Sequence, residues 1–552
     1  MALQHALSHP MNSRHSETVS ASTWRPLQQP LFRALWIASL TSNIGTWMHE
    51  AGAGWLMASL TSSPVVIALM QTATTLPVFL LGLPAGALAD GVDRRHMLIL
   101  TQGWMFVAAA ILGMLTLVGA MTPWLLLILT FALGAGAAMN APAWQTTAPQ
   151  LVSRADLPSA VALTGMGLNL ARAVGPALGG VVVAAFGTWA VFLLNAASFL
   201  SVIAVLYGWR RKKLDRRVPA EPVFSSIRAG IRYARHAPAL RAVLIRTALF
   251  VPFASALWAL LPVLARHQMG LDAVGYGILF GCLGAGAVAG AAILPQIQQR
   301  FSKDSLAVGA TILFAAATVA MAEIREFGWL CLVMVAGGAA WITLMVSLNL
   351  ATQTATPSWV RARALALYLL VFQGSMAAGS AVWGMVTARS DISTALLFAA
   401  GALILSLAAV GYYPLNGVDQ LNLTPSAHWP VPTVAVKPEP QDGPVLVTVE
   451  YRVDPQQARD FTLAMQPVQE QRLRDGALRS GLYSDPADPS RYIETFVVES
   501  WADHLRQHER VTVSDRVAED RTRAFHIGDT PPAMSHYIDA RSSDTPTETG
   551  TN

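Results

Sequence analysis

Long apolar stretches separated by short polar connections dominate the chain from residue 31 to residue 414. Each stretch is close to the ~20 residues that an α-helix needs to cross the hydrocarbon of a bilayer. The pattern therefore predicts an all-α membrane protein with twelve transmembrane helices. The predicted spans are 32–58, 64–89, 96–119, 123–150, 157–186, 188–209, 242–265, 272–298, 304–322, 328–353, 363–388 and 392–414.

One long connection, 210–241, divides these spans into two six-helix halves. Within it, apolar residues such as Ile231 alternate with Arg228, Arg232 and Arg235. This pattern predicts a basic amphipathic helix on the membrane surface, and a solvated linker helix is the alternative. The predicted units are a disordered cytoplasmic arm (1–30), an N-terminal half (31–209), the basic cytoplasmic linker (210–241), a C-terminal half (242–414), a second linker (415–443), a soluble α+β domain (444–540) and a disordered tail (541–552).

The chemistry of the chain changes after Pro414. Alternating apolar residues predict strands at 445–451, 477–484, 491–500 and 533–540. Helical periodicity predicts one helix over 455–475 and a second over 501–523. The resulting β-α-β-β-α-β order predicts a small ferredoxin-like sandwich.

Charge supports this division and gives an orientation. Residues 1–414 carry 25 Lys and Arg against 12 Asp and Glu, whereas residues 415–552 carry 13 against 21. A cytoplasmic N-terminus places 20 basic residues on the inner side and leaves Arg266, Arg325 and Arg389 in outer loops. The positive-inside rule then predicts that both termini are cytoplasmic. The basic excess fits an anionic inner leaflet of a bacterial inner membrane, and nucleic acid is not expected as a partner.

Four ionisable residues lie well inside the predicted spans, away from their ends: His49, Glu50, Arg172 and Arg246. An unpaired arginine in hydrocarbon is costly, and Glu50 is the carboxylate deep enough to compensate Arg172. Three interpretations remain open. The first is a proton-responsive site that couples transport to the proton gradient, with His49 beside it, and the second is a structural Glu50–Arg172 pair. A third places Glu50 facing outward near the periplasm. Snorkelling to the cytoplasmic edge explains Arg246.

Neutral polar residues in the spans are further candidates for lining a transport cavity, or for bridging helices. These candidates are Gln71, Gln102, Gln145, Asn169, Gln353 and Gln373.

A loop after the second span, residues 86–95, combines small residues with a carboxylate and two arginines. It resembles the signature loop of the major facilitator superfamily, with departures at Gly91 and Asp93. The resemblance implies a gating role at the cytoplasmic face for the matching residues. These are Gly86, Leu88, Asp90, Arg94 and Arg95.

The fifth span contains a proline among glycines, a composition that allows a kink and close helix contact. The matching residues are Gly175, Pro176, Gly179 and Gly180. They resemble the core of a motif found in the exporter branch of the same superfamily, although Ala171 stands where an upstream glycine is expected.

The run from Asn140 to Gln145, with Asn169 and Arg172 in the next span, resembles the group of enterobactin exporters and secretion-effector permeases. This resemblance implies export of a small molecule. Residues 444–540 resemble the antibiotic-biosynthesis-monooxygenase type of dimeric α/β barrel, notably at Glu499, Ser500 and Trp501, which implies that this domain can dimerise.

We therefore expect a secondary-active, proton-coupled exporter of a siderophore-like or drug-like molecule that works by alternating access. An uptake permease of the same fold is one alternative. A membrane-tethered enzyme, or a regulatory module at 444–540, is an alternative of another class. No catalytic residue, cofactor or metal site is expected, since the chain has no nucleotide-binding fingerprint and no metal-ligand motif.

Overall fold

A computed structural model of the protein describes residues 24–540 except 92, 148–150, 154, 209–222, 416–421, 427, 430, 431 and 433. Fourteen helices precede the C-terminal domain in the part of the chain that is described. They are α1 (Pro30–Leu60), α2 (Pro64–Gly91), α3 (Arg94–Leu117), α4 (Pro123–Thr147), α5 (Leu157–Phe186), α6 (Thr188–Gly208), α7 (Val223–His236), α8 (Pro238–Val263), α9 (Ala273–Gln298), α10 (Lys303–Glu323), α11 (Phe327–Thr354), α12 (Arg361–Arg389), α13 (Ile392–Ser406) and α14 (Ala409–Tyr412).

Eleven helical segments among the described residues are long and apolar enough to cross a membrane. The protein is thus a mostly helical, multi-pass membrane protein. The helix α1 is not one of the eleven, although it is 31 residues long and packs along α5 and α6. Asn43, His49 and Glu50 interrupt its apolar sequence and lower its mean hydropathy.

The two halves of the bundle meet through α5 against α9 and through α2 against α12. Glycine permits the first contact: a Cβ on Gly180 would lie 2.6 Å from the carbonyl oxygen of Ala273, and one on Gly277 would lie 2.7 Å from that of Pro176. In the second, Thr72 donates a hydrogen bond to the carbonyl oxygen of Ala377. These contacts lie toward the end of the bundle where α1 and α5 finish.

The linker helix α7 packs one side against protein, whereas Ile231 on the same helix is exposed. Its predicted position on the membrane surface stays a prediction. Tyr233 is 2% exposed, and its ring meets the Trp359 ring edge-on at 5.7 Å between centroids. Its hydroxyl donates to the carbonyl oxygen of Ala355 at 3.3 Å. The Tyr233 side chain is therefore buried by protein at the start of α12, and not by lipid.

Arg246 is also placed differently from expectation. Instead of snorkelling to the membrane edge, its guanidinium forms a buried ion pair with Asp304 in the first turn of α10. The Asp304 carboxylate also accepts the main-chain N–H of Leu415, at 3.0 Å from each oxygen. A buried partner removes the reason for the charge to reach water.

The C-terminal domain contains a four-stranded antiparallel sheet in the order β2-β3-β1-β4. Its elements are β1 (Val445–Arg452), α15 (Ala458–Asp475), β2 (Arg479–Ser484), β3 (Arg491–Val498), α16 (Trp501–Arg510), α17 (Val513–Arg523) and β4 (Ala533–Ile538). Val445 pairs with Val498 on one side and with Ile538 on the other. Inward side chains such as Val447 and Phe496 form the core with Trp501.

The single helix expected over 501–523 is two helices. A break at Val511 separates α16 from α17, and Thr512 then caps α17. The Thr512 hydroxyl accepts from the N–H of Asp515, while the Asp515 carboxylate accepts from the N–H of Thr512. This reciprocal capping box stabilises the start of a new helix at Thr512. The apolar periodicity continues through this point, so periodicity alone predicts one helix.

Candidate functional site

An internal cavity lies between the two halves of the bundle. It has a volume of about 60 Å³, and α1, α2, α4, α8 and α9 line it. Water needs roughly 10–15 Å³ of such space, so the cavity can hold several waters or a few heavy atoms of a ligand. Its polar lining residues are His49, Glu50, Gln71, Thr74, Thr130, Trp258 and Tyr276.

Several polar atoms of this lining are buried without a partner among the described residues. Both ring nitrogens of His49, the hydroxyl of Thr130 and the indole nitrogen of Trp258 have no hydrogen bond. Buried polar groups are normally satisfied, because leaving one unpaired costs about 1–3 kcal/mol. Three helices from two halves thus present unused hydrogen-bonding capacity to one space.

Glu50 is the one carboxylate among the cavity's lining residues. It interacts electrostatically with Arg172. The ion pair expected from the sequence is not formed, since no nitrogen–oxygen distance between these two described side chains falls within 4.0 Å. The Arg172 guanidinium instead lies over the ring of Trp47, 5.0 Å from its centroid. The pair therefore acts at longer range, with an aromatic ring stabilising the cation.

His49 shares this environment. It is 5% exposed, and its ring lies 4.7 Å from the Phe192 ring centroid. Glu50 lines the cavity between the helices. The side of the membrane that it faces stays a prediction.

The small residues of α5 explain how these charges are positioned. A Cβ on Gly175 would lie 2.5 Å from the Cβ of Trp47, and one on Gly179 would lie 3.0 Å from the Cα of Met48. The turn of α1 that carries His49 and Glu50 thus packs directly on α5. Gly180, on another side of α5, contacts α9 of the opposite half.

The other neutral polar candidates lie elsewhere. Gln145, Asn169, Gln353 and Gln373 are absent from the lining of the His49–Glu50 cavity. Gln145 and Gln353 are exposed, and the Gln353 amide donates to Asn349 at 2.7 Å. These four residues are not brought together with the ionisable pair.

At the signature loop, Gly86 and Leu88 lie in the last turns of α2, and Arg94 and Arg95 begin α3. Arg95 donates to the carbonyl oxygens of Leu206 and Tyr207 at 2.8 and 2.9 Å, which satisfies the open end of α6. The side chain of Asp90 lies outside the described residues.

The departure from the family pattern at Asp93 has a structural use. Its carboxylate accepts from the N–H groups of Arg95 and His96 at 2.8 and 3.2 Å, and so caps α3.

Sequence reasoning missed Thr130, Trp258 and Tyr276 as members of the site. Each stands in an apolar span, where a hydroxyl or an indole is as common in packing between helices as in a binding site. A weak signal is that Trp258 lies near Pro262, which ends the regular α8 and leads into the wider turn Leu264–Gln268.

A family model described as transmembrane secretion effector matches residues 21–544 of this chain. The protein belongs to this family of the major facilitator superfamily. It is a membrane transporter and not an enzyme, because the family and the fold are those of transporters.

Relatives agree with this assignment. The MFS-type transporter YfiS of Bacillus subtilis is 29% identical over 225 residues, which cover 39% of this chain and 53% of YfiS. The match therefore spans about half of that relative. The staphyloferrin A transporter of Staphylococcus aureus is 24% identical, and the match covers 50% of this chain and 69% of that transporter. The enterobactin exporter EntS of Salmonella typhimurium is 25% identical, and the match covers 68% of this chain and 91% of EntS.

Solved structures agree on the fold. A bacterial homologue of the human lysosomal transporter Spinster aligns with a TM-score of 0.56 at 12% identity, over 70% of this chain and 96% of its own. The two chains thus share the fold of the transporter bundle.

Proposed function

We propose that this protein exports a small molecule across the bacterial inner membrane by alternating access, driven by protons. The observation that carries the proposal is the His49–Glu50 cavity. It lies between the two halves of the bundle, and four of its buried polar atoms have no partner among the described residues. Such a site can bind a polar group or an ion in one arrangement of the halves and release it in the other.

The proposed mechanism uses twelve spans in two six-helix halves, with α1 counted as the twelfth. The observed contacts between the halves run from the ends of α1 and α5 to the middle of α5, where a Cβ on Gly284 would meet the carbonyl oxygen of Arg172. With both termini in the cytoplasm, these contacts close the periplasmic side. Rocking of the halves about the cavity would break the α5–α9 and α2–α12 contacts and open that side.

Glu50 is the proposed proton acceptor. Protonation removes a negative charge from the cavity and leaves Arg172 without its anionic counterpart. The balance of charge at the contact between the halves then changes, and so does the equilibrium between the two arrangements. His49 is a second group that could carry the proton in the same space.

The proposed substrate class is siderophore-like or drug-like. Support comes from relatives whose names state export of enterobactin, transport of staphyloferrin A and, for the Tap pump of Mycolicibacterium fortuitum, efflux of multiple drugs.

The C-terminal domain is proposed to be a ferredoxin-like, antibiotic-biosynthesis-monooxygenase-like module with a regulatory or dimerising role. The strand order β2-β3-β1-β4 with helices on one side supports this fold. The opposite sheet face presents Leu446, Tyr483 and Tyr537, which are 36%, 61% and 55% exposed. A second copy of the domain would cover these apolar groups.

The direction of transport can be tested in inverted membrane vesicles, where an exporter accumulates its solute. We expect ATP-independent uptake of a catecholate siderophore or a drug when the vesicle interior is acidified, and collapse of uptake when a protonophore is added. Loss of solute from preloaded inverted vesicles under the same gradient would instead establish import.

A further inference from the structure

A second cavity lies far along the chain from the transport site, between α7 and the C-terminal domain. Its volume of about 460 Å³ falls within the ~300–1,000 Å³ of small-molecule sites. It is built from the linker helix on one side. The other side consists of α16 and the turn before it, the loop before β1, and Gly476 at the end of α15. The linker helix and the C-terminal domain therefore have to stay in contact for this cavity to exist.

The cavity is strongly basic. Four arginines line it against two carboxylates, which leaves two excess positive charges; the six are Arg228, Arg232, Arg506, Arg510, Glu499 and Asp503. Three arginines are partly compensated within the protein. Arg506 bonds Asp503 at 2.8 Å, Arg228 lies 3.7 Å from Glu499, and Arg510 donates to the carbonyl oxygen of Asp475 at 2.7 Å.

Arg232 differs from its neighbours. Its Nε is buried without a hydrogen-bond partner among the described residues. Burial lowers the pKa of Arg232 from its ordinary value even though Asp503, Glu499 and Asp475 act in the opposite direction. The local carboxylates thus leave this charge undercompensated, and an added anion would stabilise it.

The position of the cavity connects it to the transport bundle. On its other side, α7 packs on α12 through Tyr233 and Trp359. The guanidinium of Arg510 lies over the Trp359 ring at 4.5 Å from its centroid, so the C-terminal domain also contacts the start of α12 directly. A molecule in the cavity would hold the domain, α7 and the end of a transport helix as one unit.

We propose that this cavity binds a small molecule through an oxyanion group, a phosphate or a carboxylate, with Arg232 and Arg506 as its main ligands. Arginine is suited to this role because its planar fork bonds two oxygens at once. The oxyanion can belong to a soluble metabolite or to an anionic lipid headgroup. This binding goes beyond the proposed export activity, since the cavity shares no residue with the transport cavity.

The test uses the full chain in nanodiscs. In phosphatidylcholine discs, calorimetric titration with pyrophosphate and with citrate measures binding of soluble oxyanions. A parallel set of discs containing phosphatidylglycerol measures headgroup binding as a rise in Tm. The variants are Arg232→Gln and Arg506→Gln, with Arg235→Gln as the matched control: Arg235 carries the same charge on the same helix but is exposed and outside the cavity.

We expect at least one soluble probe to bind, with a Kd raised about tenfold by Arg232→Gln and by Arg506→Gln and unchanged by Arg235→Gln. A stabilisation by phosphatidylglycerol alone with the same pattern of variants would identify the lipid headgroup as the source. If Arg232→Gln does not give monodisperse protein, the result for Arg506→Gln decides between the outcomes. The Arg506 side chain is 43% exposed and therefore tolerates replacement. Equal responses of the cavity variants and the Arg235→Gln control in both arms would overturn the proposal.

Discussion

Arg246 and Asp304 form a buried ion pair that joins the first turns of α8 to the start of α10. The same carboxylate binds the main-chain N–H of Leu415, where the chain leaves the bundle toward the C-terminal domain. One pair therefore holds three segments of the C-terminal half together at one end.

Removing one partner of this pair should destabilise the protein strongly. Asp304→Ala leaves Arg246 as a buried, uncompensated charge, and we expect a loss of roughly 3–5 kcal/mol, seen as a clear fall in Tm in detergent. The double variant Arg246→Met/Asp304→Ala should recover part of this loss. Glu323→Gln, at the exposed end of the same helix, serves as the control and should leave Tm unchanged. Equal Tm values for Asp304→Ala and the control would contradict the structural role.

The signature loop gives a second prediction. Asp90→Asn should reduce transport severalfold or more while membrane insertion and folded yield stay normal, because a gating carboxylate must form and release its contacts in each cycle. Flux in vesicles, normalised to the amount of folded protein, measures this. Wild-type flux in Asp90→Asn would rule out a gating role for this residue.

Orientation provides a third prediction. A reporter fused after Asn552, or inserted in the linker 210–241, should be cytoplasmic, whereas reporters in the loops at 266–271 and 389–391 should be periplasmic. The reason is that the loops assigned to the cytoplasm carry most of the lysines and arginines, which the positive-inside rule places on that side. A periplasmic reporter at the C-terminus would be incompatible with twelve spans and a cytoplasmic N-terminus.

Helix ends with local signals were predictable from the sequence. The span predicted at 157–186 coincides with α5, because Asp156 and Pro158 mark its start and Gly187, at φ 95°, ends it. The break at Val511 was missed since neither glycine nor proline stands there. The Arg246–Asp304 pair was missed because its partners are 58 residues apart. Asp304 also sits in a first helical turn, where an acidic residue is ordinary on a surface.

The residues that line the candidate cavity could be predicted in part, for a related reason. Ionisable residues in apolar spans are conspicuous, so His49, Glu50 and Arg172 were identified as candidates. Thr130 and Trp258 differ little from residues that pack between helices, and their convergence depends on how the two halves meet. The same tertiary geometry places Arg172 on Trp47 instead of in direct contact with Glu50.

A cluster of histidines makes the C-terminal domain sensitive to acid. Burial lowers the pKa of His504 to about 3 and that of His508 to about 4, with neighbouring positive charge adding to the effect. The unfolded chain takes up these protons near pH 6.5, so it binds more protons than the folded domain below that value. Stability is thus complete above about pH 6.5 and falls as the pH drops toward the folded pKa values.

We therefore expect the free energy of unfolding of the domain to fall between pH 7.5 and pH 5, by about one to a few kcal/mol, and its unfolding transition to move to lower temperature. Calorimetry of the full chain measures this, and a chain ending at Leu415 identifies the transition that belongs to the domain. His504→Phe should flatten the pH dependence, whereas replacement of the exposed His96 should not. An unchanged slope in His504→Phe would refute the assignment.

The most direct test of proton-driven export is flux through Glu50→Gln in inverted vesicles, with Glu323→Gln as the control carboxylate. If Glu50 carries the coupling proton, Glu50→Gln abolishes accumulation of solute against its gradient but retains downhill exchange of labelled for unlabelled solute. The control retains both activities. Gradient-driven accumulation by Glu50→Gln at the wild-type rate would contradict the central claim.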